Sequence, residues 1–102
     1  MDALTKEEVN NYLAHRLREW IFTGSAIRRE LKFKDFTGAF SFMTAVAMEA
    51  EKMDHHPEWT NVYNTVNISL STHTHKGVTC LDLELADRIN TVYNNLTGIS
   101  VD

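Results

Sequence analysis

Two stretches in which apolar and polar residues alternate constrain the fold of this chain most, because each predicts a strand with one apolar and one polar face. They are residues 26–33 and residues 66–72. Each stretch follows a β-branched or aromatic run and a turn signal, Gly24-Ser25 before the first and Asn64-Thr65 before the second. The sequence therefore predicts two antiparallel hairpins. Their strands are expected at residues 20–23, 26–33, 59–63 and 66–72.

Two capping boxes predict helices near the two ends of the chain. In each box a threonine precedes an acidic residue by three positions, so that the two residues satisfy helix-terminal N–H groups reciprocally. The pairs are Thr5 with Glu8 and Thr79 with Asp82. Apolar residues recur at helical spacing after each box. We therefore expect one helix at residues 6–15 and another that starts at the second box and stops at Gly98.

A long segment between the two hairpins predicts the central helix, residues 36–54, with Asp35 as its cap and Pro57 beyond its end. Eight apolar residues at helical spacing form its expected buried stripe: Phe36, Ala39, Phe40, Met43, Val46, Ala47, Ala50 and Met53. Phe42 and Met48 stand off this stripe. We expect them to be exposed, either as a contact for a second packing partner or as scattered surface hydrophobes.

The predicted element order is α-β-β-α-β-β-α, and the predicted fold class is α+β. Two hairpins and three amphipathic helices assemble most simply as a four-stranded antiparallel sheet with all three helices on its apolar face. The opposite face, with Arg28, Glu30 and Asn67, stays polar and open. The open edges of such a sheet invite pairing with another copy. The length of 102 residues predicts a single domain, residues 1–102.

Charge and composition narrow the classes of partner. The net charge of −4, with no basic cluster longer than Arg28-Arg29, disfavours direct binding to nucleic acid. The single Cys80 cannot close an internal disulfide, which is compatible with a reducing compartment. The N-terminal residues lack the pattern of a signal peptide, and no run approaches the ~20 apolar residues of a membrane span. We therefore expect a cytoplasmic protein with no membrane partner.

Residues 51–82 contain most of the side chains that could carry chemistry. Four of the five histidines, the only proline and the only cysteine fall there. His55 and His56 lie at the corner where the central helix ends, and His73 lies at the far end of the last strand. Because the second hairpin starts just after this corner, its second strand runs back toward it. We therefore expect His73 beside His55 and His56.

The surroundings of these three imidazoles predict an acid/base site. Glu51, one helical turn before His55, and Asp82 are expected at the same rim, with Trp59 or Trp20 as floor or wall. Imidazoles titrate at about pH 6.5, so neighbouring ones can hold different protonation states at neutral pH and act as acid and base together. This arrangement suits proton transfer to a small ring substrate that forms hydrogen bonds.

Two other interpretations of the histidines stay open at this point. His73 and His75 are two residues apart and would face one side of a continued strand, where they could bind a metal ion with His55. Against this, Gly77 indicates that the strand has ended, and the sequence has no paired-cysteine or HExxH spacing. Alternatively, the histidines only cap helix ends and satisfy a polar corner.

The same region carries a long and specific pattern of residues. It consists of Glu51-Lys52-x-Asp54-His55-His56-Pro57-x-Trp59-x-Asn61-Val62-Tyr63-Asn64, then Val66-x-Ile68-x-Leu70-x-Thr72-His73, then Gly77-x-Thr79-x-x-Asp82-x-x-Leu85-Ala86. This pattern closely resembles the pterin-4a-carbinolamine dehydratase family, and the match also takes in Trp20 and much of residues 33–43. The resemblance implies the same α+β fold, assembled as a homotetramer through sheet edges and the long helices.

The resemblance also implies an enzyme that needs neither a metal ion nor a cofactor. The family removes water from 4a-hydroxytetrahydropterin, the carbinolamine left by aromatic amino acid hydroxylases, and gives quinonoid dihydropterin for tetrahydrobiopterin recycling. The implied catalytic residues are His55, His56, His73 and Asp82. The three histidines also contact the pterin, together with Asp54, Ser71 and Thr72, and the predicted rim and wall add Glu51 and Trp59.

Roles for four of these residues follow from the reaction that the resemblance implies. We expect His55 and His73 to form the acid/base pair, without deciding which is the acid. His56 is expected to bind and orient the pterin. Asp82 is expected to hold His73 in its working tautomer.

A second function class is a protein-binding module. In animals the family doubles as the dimerisation cofactor of a hepatocyte homeodomain transcription factor, so the resemblance implies a transcriptional coactivator role and a nuclear location as the alternative. The central helix would then pack against helices of the transcription factor through Phe42 and Met48.

Overall fold

The computed structural model describes residues 2–98, in which the predicted element order and the α+β class are confirmed. The helices are α1 (Lys6–Arg16), α2 (Phe36–Met53) and α3 (Cys80–Thr97). The strands are β1 (Ile21–Phe22), β2 (Ile27–Lys32), β3 (Glu58–Val62) and β4 (Thr65–Leu70), and a 3₁₀ turn follows at His73–His75. Within the described part of the chain, no helix is long and apolar enough to cross a membrane.

The four strands form one antiparallel sheet in the order β1-β2-β4-β3. The two six-residue strands, β2 and β4, pair at its centre, where Ile27 lies opposite Leu70 and Leu31 lies opposite Val66. These four side chains are buried in one hydrophobic core that also contains residues of all three helices. The predicted sheet with one apolar, helix-covered face is therefore confirmed.

The predicted helix ends are confirmed by their capping contacts. The Glu8 N–H donates to the Thr5 hydroxyl, and the Thr5 N–H donates back to the Glu8 carboxylate. At the start of α3 the Thr79 N–H donates to the Asp82 carboxylate at 2.9 Å. Gly98 ends α3 with φ 76, a left-handed conformation that glycine adopts without strain.

The buried face of α2 differs from the predicted stripe. Phe42 is fully buried, with its ring centroid 4.9 Å from that of Phe33. Phe36 and Phe40, by contrast, are 50% and 56% exposed. The predicted exposure of Phe42 is therefore wrong, because α2 is apolar on more than one side and its spacing fits two stripes. Met48 is exposed, as predicted.

The tight turn of the second hairpin lies one residue earlier than predicted. Val62 pairs with Thr65, so the turn consists of Tyr63 and Asn64, and Tyr63 takes the left-handed conformation with φ 52. Asn64 is fixed to the end of β2 by two hydrogen bonds: the Phe33 N–H donates to the Asn64 carbonyl, and Asn64 Nδ2 donates to the Phe33 carbonyl. This long-range contact sets the position of the turn, and the local sequence does not reveal it.

A hydrogen bond between α1 and α3 makes part of the stability dependent on pH. The Tyr12 hydroxyl donates to Asp87 Oδ2 at 2.6 Å, and this bond, with burial and the negative charge of Asp87, raises the pKa of Tyr12 above its ordinary 10.0. A raised pKa in the folded state means that the bond stabilises the fold below pH ~10 and is lost as the phenol ionises at higher pH.

We therefore expect Tyr12→Phe to lower the free energy of unfolding by about 0.5–1.5 kcal/mol at neutral pH. The difference from the unmodified protein should shrink as the pH rises through the pKa of the folded phenol. Urea unfolding at several pH values measures this. Tyr63→Phe, at an exposed tyrosine, serves as the control and should change little. A Tyr12→Phe deficit that is the same at every pH would contradict the prediction.

Candidate active site

The end of α2 directs two adjacent histidines into different environments. Asp54 caps the helix in a left-handed conformation, with φ 50, and the backbone N–H of His55 donates to the Ala50 carbonyl at 3.1 Å. After this tight end the side chain of His55 is buried and that of His56 is exposed. The helix end therefore delivers one imidazole into the protein and leaves the next at the surface.

Asp82 lies at the centre of the buried part of this corner. It has no exposed surface, and it accepts three hydrogen bonds. His55 Nε2 contacts Asp82 Oδ1 at 2.6 Å, and the Thr72 hydroxyl and the Thr79 N–H each donate to Asp82 Oδ2 at 2.9 Å. A buried carboxylate requires such donors, because an unpaired charge in the interior is strongly unfavourable. We call these four residues, His55, Thr72, Thr79 and Asp82, the Asp82 network.

The contact with Asp82 determines which nitrogen of the neutral His55 ring carries the proton. A carboxylate only accepts hydrogen bonds, so the ring nitrogen that contacts it, Nε2, carries the proton and donates. The other nitrogen, Nδ1, has no bond to any of residues 2–98. Since no buried side-chain nitrogen or oxygen in this range lacks a partner, Nδ1 reaches solvent. His55 therefore presents a basic nitrogen to the outside of the corner.

His73 follows directly after a member of the Asp82 network. Its side chain is exposed at the start of the 3₁₀ turn and makes no hydrogen bond to any of the described residues. The predicted contact between Asp82 and His73 is wrong, because the carboxylate binds His55 instead. The reason is the alternation along β4: Thr72 continues the inward side of Leu70, so the threonine hydroxyl, and not the next imidazole, faces the carboxylate.

His56 is paired at the surface with a residue of α2. Its Nε2 lies 2.6 Å from Glu51 Oε1, and the two side chains are 54% and 77% exposed. Such an exposed pair contributes at most about 1 kcal/mol to stability. Glu51 therefore contacts His56 at the surface and is not a member of the Asp82 network.

The other predicted site residues differ in exposure. Asp54 is exposed, whereas Ser71 and Trp59 are half-buried, and Trp59 packs against the edge of the core. Trp20 is buried and donates its indole Nε1–H to Asn90 Oδ1 on α3. Of the two tryptophans considered as floor or wall of the site, Trp20 is therefore part of the hydrophobic core, and Trp59 stays the candidate.

Thr79 is a member of the Asp82 network that the sequence identifies only as a helix cap. Its N–H donates to Asp82, and its hydroxyl lies 2.8 Å from the hydroxyl of Thr72. The capping-box spacing is the signal that points to this role, because it folds the acidic side chain back over the threonine N–H. The box therefore starts α3 and fixes the carboxylate of the site at the same time.

The alternative in which the histidines bind a metal ion required three ligands close together. Within residues 2–98 no group of three or more His, Cys, Asp or Glu side chains is arranged to hold a metal ion. His75, one of the three ligands considered, instead has its Nδ1 3.0 Å from the hydroxyl of Thr74.

Known proteins share both sequence and fold with this chain. The model of the pterin 4 alpha carbinolamine dehydratase family matches residues 2–92. The chain belongs to this family. A protein of Mesorhizobium japonicum named "Putative pterin-4-alpha-carbinolamine dehydratase" is 47% identical over 91 residues, which cover 87% of this chain and 92% of that protein. A protein of Chelativorans sp. with the same name is 49% identical over 89 residues, which cover 85% and 90%.

Two solved structures place this dehydratase-family chain among known folds. The crystal structure of a transcriptional coactivator/pterin dehydratase from Brucella melitensis superposes with a TM-score of 0.86 at 45% identity, and covers 90% of this chain and 99% of that one. A pterin dehydratase-like protein described as a RuBisCO assembly factor in the alpha-carboxysome has a TM-score of 0.64 at 20% identity, over 74% and 89%. The second likeness concerns the fold alone. The family resemblance predicted from the sequence is confirmed.

Proposed function

We propose that this member of the dehydratase family converts 4a-hydroxytetrahydropterin to quinonoid dihydropterin and water by histidine acid/base catalysis, as a step in tetrahydrobiopterin recycling. The observation that supports the proposal is the bond between His55 and Asp82, in which Nε2 donates and Nδ1, with no bond to residues 2–98, stays available as a base. Family membership supplies the substrate class.

The proposed reaction needs one proton donor and one proton acceptor on the two sides of the bond that becomes double. Protonated His73 donates to the 4a hydroxyl, which leaves as water. Nδ1 of His55 takes the proton from N5, and the electron pair of the N5–H bond forms the C4a–N5 double bond. Both imidazoles then return to their starting states by proton exchange with solvent, which the exposure of His73 permits. The proposed chemistry uses neither a metal ion nor a cofactor.

The residues around the two imidazoles are proposed to position the pterin. His56, restrained by Glu51, would hold the ring by hydrogen bonds, and the exposed or half-buried Asp54, Ser71 and Trp59 would border it. Holding a bicyclic ring at a fixed distance from an acid and a base accelerates the reaction as much as the proton transfers themselves.

A dehydration assay with chemically generated carbinolamine tests the proposal directly. We expect the protein to accelerate the loss of water over the uncatalysed reaction, and we expect the acceleration to persist after exhaustive treatment with a chelator. No acceleration would overturn the enzymatic proposal. Activity that is lost with chelator and restored by a metal ion would overturn the metal-free mechanism.

A second proposed function, as a protein-binding coactivator module, is favoured by the exposed face of α2. Phe36 and Phe40, with ring centroids 5.8 Å apart, and Met48 leave large apolar side chains at the surface of one helix. Such a face suits packing against a helix of another subunit or of a transcription factor. The related Brucella melitensis protein is described as both coactivator and dehydratase. Phe42 takes no part, because it is buried.

We propose that this face of α2 also joins copies of the chain into a dimer or tetramer, and we expect Phe40→Asp to reduce the oligomer mass measured by light scattering. The charge would be buried in the contact without a partner, which is strongly unfavourable. Phe40→Leu is the matched control and should preserve the assembly. A Phe40→Asp protein with unchanged mass, or an unmodified protein that is monomeric, would contradict the proposed interface.

A further inference from the structure

We infer that Thr72 is a positioning residue, whose hydroxyl acts on His55 through Asp82 and forms no hydrogen bond to the pterin. The inference rests on the proposed function, because it refines how the proposed base is held. It also revises the expectation that Thr72 binds the substrate. Four observations support the inference. They are the direction of the hydrogen bonds in the Asp82 network, the fact that every polar group of Thr72 already has a partner, the burial of Thr72, and its position next to His73.

The hydrogen bonds of the Asp82 network can run in only one direction. The Thr72 hydroxyl has one proton and donates it to Asp82 Oδ2, because a carboxylate cannot donate in return. The Thr79 hydroxyl must therefore donate to the oxygen of Thr72, 2.8 Å away, and it accepts in turn from the Leu81 N–H. On the other side Asp82 Oδ1 accepts from His55 Nε2. Both hydroxyl protons of the Asp82 network thus point along the network toward the carboxylate.

Thr72 has no polar group left for a substrate. Its hydroxyl donates and accepts within the network, its N–H donates to the Gly77 carbonyl at 2.8 Å, and its own carbonyl accepts from the His75 N–H at 3.0 Å. The residue is only 8% exposed. A direct bond to a pterin would require one of these bonds to break in the interior, where an unpaired polar group is unfavourable.

Removal of the Thr72 hydroxyl would change the hydrogen bonds of Asp82 and leave the His55 side chain itself unchanged. Asp82 Oδ2 would keep only the Thr79 N–H, and the Thr79 hydroxyl would lose its acceptor. The carboxylate would then be less restrained in rotation, and with it the ring of His55 that it holds by a single bond. A loosely held ring can exchange its proton between Nε2 and Nδ1, and the form protonated on Nδ1 cannot act as the base.

The position of Thr72 adds a geometric reason for this role. The residue lies between β4 and the 3₁₀ turn that starts at His73, and its carbonyl accepts the bond that closes this turn. The same residue therefore fixes the carboxylate behind His55 and the backbone that carries His73. A displacement of about 1 Å between two such groups lowers a rate by about 100-fold.

The test compares Thr72→Val, which removes the hydroxyl and keeps the branched shape, with Thr72→Ser, which keeps the hydroxyl. The first readout is ¹⁵N NMR of labelled histidine, which reports the protonated nitrogen of His55 and does not depend on activity. We expect Nε2-protonated His55 in the unmodified protein and in Thr72→Ser, and a mixture of tautomers in Thr72→Val. Should the valine variant not fold, Thr72→Ala removes the same hydroxyl without added bulk and should give the same mixture.

The second readout is the dehydration assay, with kcat and KM determined separately. We expect Thr72→Val to lower kcat by about 10- to 100-fold with little change in KM, and Thr72→Ser to restore most of it. An unchanged tautomer in Thr72→Val would overturn the inference, as would a raised KM with unchanged kcat, which would indicate substrate binding. If the unmodified protein has no turnover, the proposed function fails, and the NMR comparison alone decides the role of Thr72.

Discussion

Replacement of both His55 and His73 by alanine is expected to abolish the acceleration of carbinolamine dehydration. General acid and general base catalysis each contribute about 10²- to 10⁴-fold, so loss of both should bring the rate close to the uncatalysed one. The fold should survive, because the His73 side chain is exposed and makes no hydrogen bond to the described residues, although loss of the His55 donor to Asp82 should cost about 1–3 kcal/mol. The assay is run below the unfolding temperature of the variant.

The matched control removes two imidazoles outside the proposed site. His15 and His75 are both exposed, and among residues 2–98 each side chain bonds only within its own local segment, to the Asn11 carbonyl and to the Thr74 hydroxyl. The double variant His15→Ala with His75→Ala should keep nearly full activity. Equal loss in both double variants would mean that the effect is not specific to the corner, and unchanged turnover without His55 and His73 would refute the proposed acid/base pair.

Asp82→Ala is expected to have the largest effect on stability. It leaves three buried donors without an acceptor: His55 Nε2, the Thr72 hydroxyl and the Thr79 N–H. It also removes the acidic partner of the capping box at the start of α3. Each buried donor left unsatisfied costs about 1–3 kcal/mol, so loss of all three partners should cost at least about 3 kcal/mol, which for a domain of this size lowers Tm by at least ~10 °C. Thermal unfolding followed by circular dichroism measures the change.

Asp82→Asn separates stability from catalysis at the same position. The amide oxygen can still accept from Thr72 and Thr79, but the amide nitrogen would then face His55 Nε2 as a donor. That contact favours the His55 tautomer protonated on Nδ1, which leaves no basic nitrogen for the substrate. We expect the asparagine variant to lose less stability than the alanine variant and to have no dehydratase activity. An active Asp82→Asn protein, or an Asp82→Ala protein with unchanged Tm, would contradict this account.

The sequence was sufficient for those features that depend on neighbours along the chain. The capping boxes at Thr5 and Thr79 placed two helix starts correctly, and the alternation in β2 and β4 placed the apolar face of the sheet. It was less reliable for α2, where nearly every side of the helix offers apolar residues. There Phe42 was expected at the surface and Phe40 in the core, and the reverse is observed. The choice between two apolar stripes is made by the sheet and α3, which local spacing does not describe.

What the sequence alone determined is the list of chemically capable residues and the elements that carry them: an imidazole pair at a helix end, a third imidazole after a returning strand, and a carboxylate in a capping box. What only the tertiary structure decided is which of them are joined. Asp82 binds His55, 27 residues away, and not His73, because Thr72, just beyond the end of β4, continues the inward side of that strand. Hydrogen bonds between distant segments depend on the packed orientation of each side chain, and that orientation is fixed only when helix, strand and turn are assembled around one core.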